Sequence, residues 1–219
     1  MGHLAVIEGL DGSGKATQAT HLAAYLQELG QTVRHVAFPN YDHESSALVR
    51  LYLSGSLGSP DEVNAYAASS FYAADRYISF TSQWKKDYDA GHTIIADRYT
   101  TSNAVHQASK LPPEERGSFL DWLFDLEYCR LGLPRPDLVL YLDLPTELSE
   151  QMLRQRERSP GVRADIHEQD DAYLRGCRES ARQIARELNW TVVDCARAGR
   201  IRPAEEIHEE LWNRVAEYL

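Results

Sequence analysis

The run HLAVIEGLDGSGKATQ, His3 to Gln18, restricts the architecture more than any other part of the chain. A short apolar stretch ends at Gly9, Gly12 and Gly14 follow closely, and Leu22, Tyr25, Leu26 and Leu29 then recur at helical spacing until Gly30. This reads as strand, tight loop, helix. Gly9, Asp11, Gly12, Ser13, Gly14 and Lys15 form a G-x-x-x-x-G-K loop whose backbone N–H groups and helix N-terminus suit a phosphate, with Lys15 placed to neutralise it. An incidental glycine turn is the competing reading, and the flanking strand and helix weigh against it. Ala16 stands where the usual loop has Ser or Thr, a direct Mg²⁺ ligand; Thr17, one place on, keeps a hydroxyl for the phosphates.

The rest of the chain repeats the strand–helix alternation. TVRHVAF (32–38), HTIIAD (92–97), DLVLYLD (137–143) and TVVDC (191–195) read as four more strands. Helices are expected over about 60–90, 114–131, 146–157, 169–188 and 203–218. Nearly continuous apolar strands between helices predict an α/β fold, a five-stranded parallel sheet with helices on both faces. Ligands of such sheets bind beyond the carboxyl ends of the strands. At 219 residues, 43% of them hydrophobic, the chain fits one domain over 1–219, burying roughly 70–75% of its unfolded surface.

Charge and cysteine content exclude several classes. A net charge of −10 opposes general affinity for nucleic acid or anionic membrane, and no stretch reaches the ~20 apolar residues of a membrane span. Cys129, Cys177 and Cys195 show no metal-ligand spacing and read as reduced thiols of a cytoplasmic protein.

Other segments carry chemistry after the right strands. IIADRYTTSNAVHQ puts Asp97 and Arg98 at the end of the third strand, followed by Ser102, Asn103, His106 and Gln107. An aspartate there accepts from Mg²⁺-bound water and an arginine clamps phosphate; a plain strand-end ion pair is the bland alternative. FPNY (38–41) follows the second strand, and SFYAADRY (70–77) lies in the long helix.

GSGKATQ resembles the loop of nucleoside monophosphate kinases, whereas a GTPase would need an N-K-x-D motif that the chain lacks. With the FP turn, the aromatic four residues before Arg76, and DRYTTSN, the chain resembles thymidylate kinases from the first strand to about residue 160. The resemblance implies ATP + dTMP → ADP + dTDP with Mg²⁺, in a homodimer. It implies that Gly9 to Gln18, including Ala16 and Thr17, hold ATP, with Asp97 on the metal through water. Tyr72 would stack on the thymine ring and Arg76 would donate to its O4. Asn103, supported by Ser102, would add an amide contact, and Phe38 would line the acceptor site. Asp11 would face the acceptor sugar and phosphate, and Arg98 would clamp that phosphate. Glu8 reads as a strand-end support. Two positions depart from the family: Asn40 and Tyr41 where an Arg is common, and His106 where many bacterial relatives have Tyr near C2′. These keep dUMP or UMP open as alternative acceptors. A regulatory nucleotide binder without transfer activity is a third reading, opposed by the retained Lys15 and arginines.

MLRQRERSPGVRADIHEQD (152–170) reads as a helix, a break at Ser159-Pro160-Gly161, and a second helix. A solvated charged helix is the bland reading. The resemblance implies a mobile lid over about 154–168: some relatives put a basic residue after the loop Asp, and others, with Gly there as at Gly12, place the catalytic arginine in the lid. Arg158 is the expected catalytic residue, with Arg154, which would contact ATP, and Arg163 in support.

Overall fold

The computed structural model describes residues 1–60, 62–157 and 171–218. β1 (His3–Gly9) is followed by α1 (Lys15–Glu28), β2 (Val33–Ala37), α2 (Ala47–Leu53) and α3 (Ala65–Ser79). A π-helical turn at Phe80–Trp84 joins α3 to α4 (Lys85–Asp89), which leads into β3 (Thr93–Asp97). Then come α5 (Thr100–His106), α6 (Pro113–Phe124), a second π-helical turn at Asp125–Arg130, and β4 (Leu138–Asp143). The chain continues through α7 (Thr146–Glu157), α8 (Asp171–Glu187), β5 (Thr191–Asp194), the short hairpin β6 (Ala196–Arg197) and β7 (Arg200–Ile201), and α9 (Ala204–Ala216).

The five-stranded parallel sheet is present, in the order β2-β3-β1-β4-β5. Its strands read as unbroken apolar runs because both faces are covered. Ala5 and Ile7 of β1 pack with Leu22 and Leu26 of α1 and Ile207 and Leu211 of α9. Leu4 and Val6 face the other way, onto Trp84 and Tyr99. Three elements lie outside the expected ranges: α2, hidden between the FP turn and the long helix, α5, and the β6–β7 hairpin.

Register brings the functional strand ends together. Ile7 lies opposite Asp97, and Ala37 is also opposite Asp97. The Arg98 N–H donates to Ile7 O at 3.0 Å, and the Phe38 N–H to Asp97 O at 3.0 Å. The residues following β1, β2 and β3 therefore share one edge of the sheet.

Candidate active site

A cavity of about 860 Å³ opens at that edge. One end is the glycine loop. Gly14 caps α1 with φ 88°, a left-handed conformation that only glycine adopts without strain. Gly12 has φ 78°, and a Cβ there would sit 2.7 Å from Ser149 O. Ser149 also donates to Asp11 O, so α7 buttresses the loop from behind. The Lys15 ammonium is buried, donating to Leu10 O at 2.8 Å with Asp11 Oδ1 at 3.6 Å. Burial and the nearby Arg98 push its pKa down, only partly offset by Asp11.

Arg98 sits between the loop and the far end of the cavity. Its Nη2 donates to Asp11 Oδ1, its Nη1 lies 3.3 Å from Ser102 Oγ and from His106 Nε2, and Glu8 Oε1 is 3.6 Å away. Its φ of 65° places a non-glycine residue in the left-handed region, a strain of about 1–3 kcal/mol that ion pairing on several sides offsets. Burial alone would lower its pKa, but Asp11, Glu8 and Asp97 raise it, so the charge is permanent. Burial pushes the Asp11 carboxyl up, yet Arg98, Lys15 and His106 outweigh it and hold the group well below the usual carboxylate range. Glu8 is fully buried; it accepts from the Gly9 N–H and from the Thr101 and Ser102 hydroxyls. It is more than a strand-end support, since it shares in holding Arg98.

Of the expected site residues, Asp11, Gly12, Gly14, Lys15, Ala16 and Thr17 line the loop end of the cavity. Phe38, Tyr72, Ser102, Asn103, His106 and Gln107 line the rest, together with Asp97 and Arg98. Tyr72 packs edge-on against Tyr52, with ring centroids 6.3 Å apart. Of the two departures, Tyr41 lines the cavity, while Asn40 turns its amide to Gln83 and its N–H to Asp75.

Five of the expected site residues, Gln18, Gly9, Ser13, Arg154 and Arg76, do not line the cavity. Gln18 does not reach the cavity; its Nε2 ties α1 to Ala204 O of α9 at 2.9 Å. Gly9 and Ser13 also stand behind the wall: a Cβ on Gly9 would meet Ser13 Oγ at 2.7 Å and Leu142 O at 2.9 Å, so these two pack the turn. Arg154 is exposed and paired with Glu150 at 3.6 Å, away from the wall that its neighbours Met152 and Leu153 form. Arg76 is only 1% exposed and absent from the cavity wall, because Glu127 takes its Nε at 2.6 Å and also its Nη2. A base contact from Arg76 is left to Nη1 and to the second hydrogen of Nη2. Arg158, Arg163 and most of the expected lid lie outside the described residues. Glu127 and Asp75 were the functional-site neighbours that sequence reasoning missed. Asp75 is the lone acidic residue of α3, and Glu127 sits in a helical stretch that also carries Asp121 and Asp125, with nothing in the sequence to mark either as buried.

A glycine loop between β1 and α1 and Arg98 after β3, facing one cavity at the switch of a five-stranded parallel sheet, give the fold of the P-loop nucleoside monophosphate kinases. A family model for thymidylate kinase matches residues 7–210. The chain belongs to the thymidylate kinase family. A thymidylate kinase of Mycobacterium tuberculosis is 33% identical over 171 residues, 76% of this chain and 78% of that protein. A probable thymidylate kinase of Pyrococcus abyssi is 34% identical over 156 residues, 71% of each. A solved thymidylate kinase of Candida albicans has the same fold, with a TM-score of 0.71 at 23% identity over 99% of this chain and 92% of that one.

Proposed function

We propose that the chain transfers the γ-phosphoryl group of ATP to the phosphate of dTMP. The observation that carries this reading is the placement of Arg98, bonded to the loop through Asp11 and to the far end of the cavity through Ser102. ATP phosphates bind the N–H groups opening α1 and the Lys15 ammonium; the acceptor phosphate binds Arg98; the thymine lies between Tyr72 and Asn103. Phosphoryl transfer needs alignment and charge neutralisation rather than a covalent intermediate, and Lys15 and Arg98 supply both.

Asp97 Oδ1 is buried at the cavity without a hydrogen-bond partner among the described residues, which fits a site for Mg²⁺-bound water. No cluster of three metal-ligating side chains occurs among the described residues. The ion supplies further neutralisation of the phosphates. Arg158, in a lid over about 154–168, is the remaining source of positive charge in this reading, supported by Gly12 in place of a basic loop residue. The reading extends to a homodimer in the cytoplasm; Leu48 and Leu51 of α2 and Tyr77 and Ile78 of α3 are large apolar side chains left exposed.

An assay of ADP release with dTMP, dUMP, UMP and dCMP tests the assignment. Turnover with dTMP well above dCMP is expected, and equal rates would sink it. Chelation of divalent metal is expected to abolish turnover, and added Mg²⁺ to restore it.

A further inference from the structure

Glu127 has no exposed surface, yet it lies 51 residues along the chain from Arg76 and on a different helical segment. The π-helical turn at Asp125–Arg130 turns it inward, where its carboxylate gathers four donors. Oε2 accepts from Arg76 Nε at 2.6 Å and Thr100 Oγ1 at 2.7 Å; Oε1 accepts from Arg76 Nη2 and, at 3.3 Å, from Asn103 Nδ2. Two of these partners flank the cavity end that holds the acceptor base. Asn103 lines the wall itself, and Arg76 stands directly behind it.

The Asn103 contact decides which end of its amide meets a ligand. Nδ2 lies 3.2 Å from Ser69 O and 3.3 Å from Glu127 Oε1, and both neighbours are acceptors. Only the NH₂ end can face two acceptors, so the amide cannot flip. Its oxygen is thereby left for the cavity. An acceptor at that place pairs with the N3–H of thymine or uracil and opposes the unprotonated N3 of cytosine. A wrong base leaves two acceptors facing each other in a buried site, an arrangement that discriminates strongly.

We propose that Glu127 is the positioning residue for acceptor-base choice: its carboxylate locks the Asn103 amide with oxygen toward the base and fixes the Arg76 guanidinium behind it. The proposal rests on the dTMP reading above. Glu127→Gln tests it, since a side-chain amide of nearly the same shape brings its own donors to Asn103 and cannot hold Arg76 at two points. The readouts are kcat and KM for dTMP and dCMP, with the urea midpoint recorded in parallel.

The wild-type panel first establishes whether dTMP is preferred, which isolates failure of the functional reading from failure of the proposal. In Glu127→Gln the KM for dTMP is expected to rise by about tenfold or more, the scale of one hydrogen bond to a charged group. The ratio of kcat/KM for dTMP over dCMP is expected to fall by a similar factor, with kcat for dTMP at saturation changing much less. A lower urea midpoint with an unchanged ratio would overturn the proposal, because a residue that only stabilises the fold affects both bases alike. If Glu127→Gln does not fold, Thr100→Val removes one donor to the same carboxylate with little change in side-chain size. Its selectivity ratio must move in the same direction, and an unchanged ratio there also overturns the assignment.

Discussion

The Arg98 guanidinium donates to the Asp11 carboxylate, so the arginine at the end of β3 is tied to the phosphate loop. Asp11 neutralises part of the clamp's charge and holds it in place. Arg98→Ala removes a positive charge from the middle of the cavity, leaving Asp11 with Lys15 as its ion-pair partner and Glu8 without the Arg98 charge. Loss of about 10³-fold or more in kcat/KM for dTMP is expected, as for other arginines serving phosphoryl transfer. Arg98→Lys restores the charge without the fork and is expected to recover only a minor part of it. Steady-state kinetics with both variants check the ordering.

Lys15 is buried, with its ammonium held by Leu10 O inside the loop. Lys15→Met keeps the length of the stem and removes the charge. Transfer is expected to fall by at least about 10²-fold, the size of losing one preorganised electrostatic contact to the transition state. The far-ultraviolet circular dichroism spectrum should stay unchanged, which separates a chemical defect from unfolding.

Gly12 and Gly14 both have positive φ, but their surroundings differ. A Cβ at Gly14 meets nothing within 4 Å, so Gly14→Ala should lose only the backbone preference, about 1–2 kcal/mol. Gly12→Ala adds a collision with Ser149 O and should be the more destabilised of the two. Urea midpoints of the two variants measure the difference directly.

His208 of α9 packs edge-on against Tyr25 of α1, and its Nδ1 is buried with no partner among the described residues. Burial and the neighbouring His21 lower its pKa below the ordinary 6.5. The unfolded chain therefore binds a proton more readily than the folded one. Stability from this group is complete at pH 7.5 and is lost as pH falls below about 6.5 toward the folded value. The denaturation midpoint should drop between pH 7.5 and 5.5, and His208→Gln should lessen that drop.

Strands were legible because a sheet covered on both faces requires unbroken apolar runs, and β1, β3 and β4 have them. Lys15, Asp11 and Arg98 were legible because backbone geometry ties them to strand ends. Glu127 was not, because its role depends on a π-helical turn, and a charged residue on a helix ordinarily faces water. Gln18 is drawn away from the cavity for the opposite reason. It follows the loop in sequence, but the start of α1 rotates it toward α9, where it finds Ala204 O. The helix α2 escaped notice because its seven residues are too few for periodicity to register.

The pairing of β1 with β3 acts as a ruler. Because Ile7 is level with Asp97 and the Arg98 N–H is bonded to Ile7 O, main-chain hydrogen bonds set the gap between the glycine loop and the Arg98 backbone. Side chains on the cavity wall such as Tyr72 take no part in those main-chain hydrogen bonds. A lineage can therefore vary the wall and change which nucleotide it accepts while inheriting the phosphoryl-transfer geometry intact.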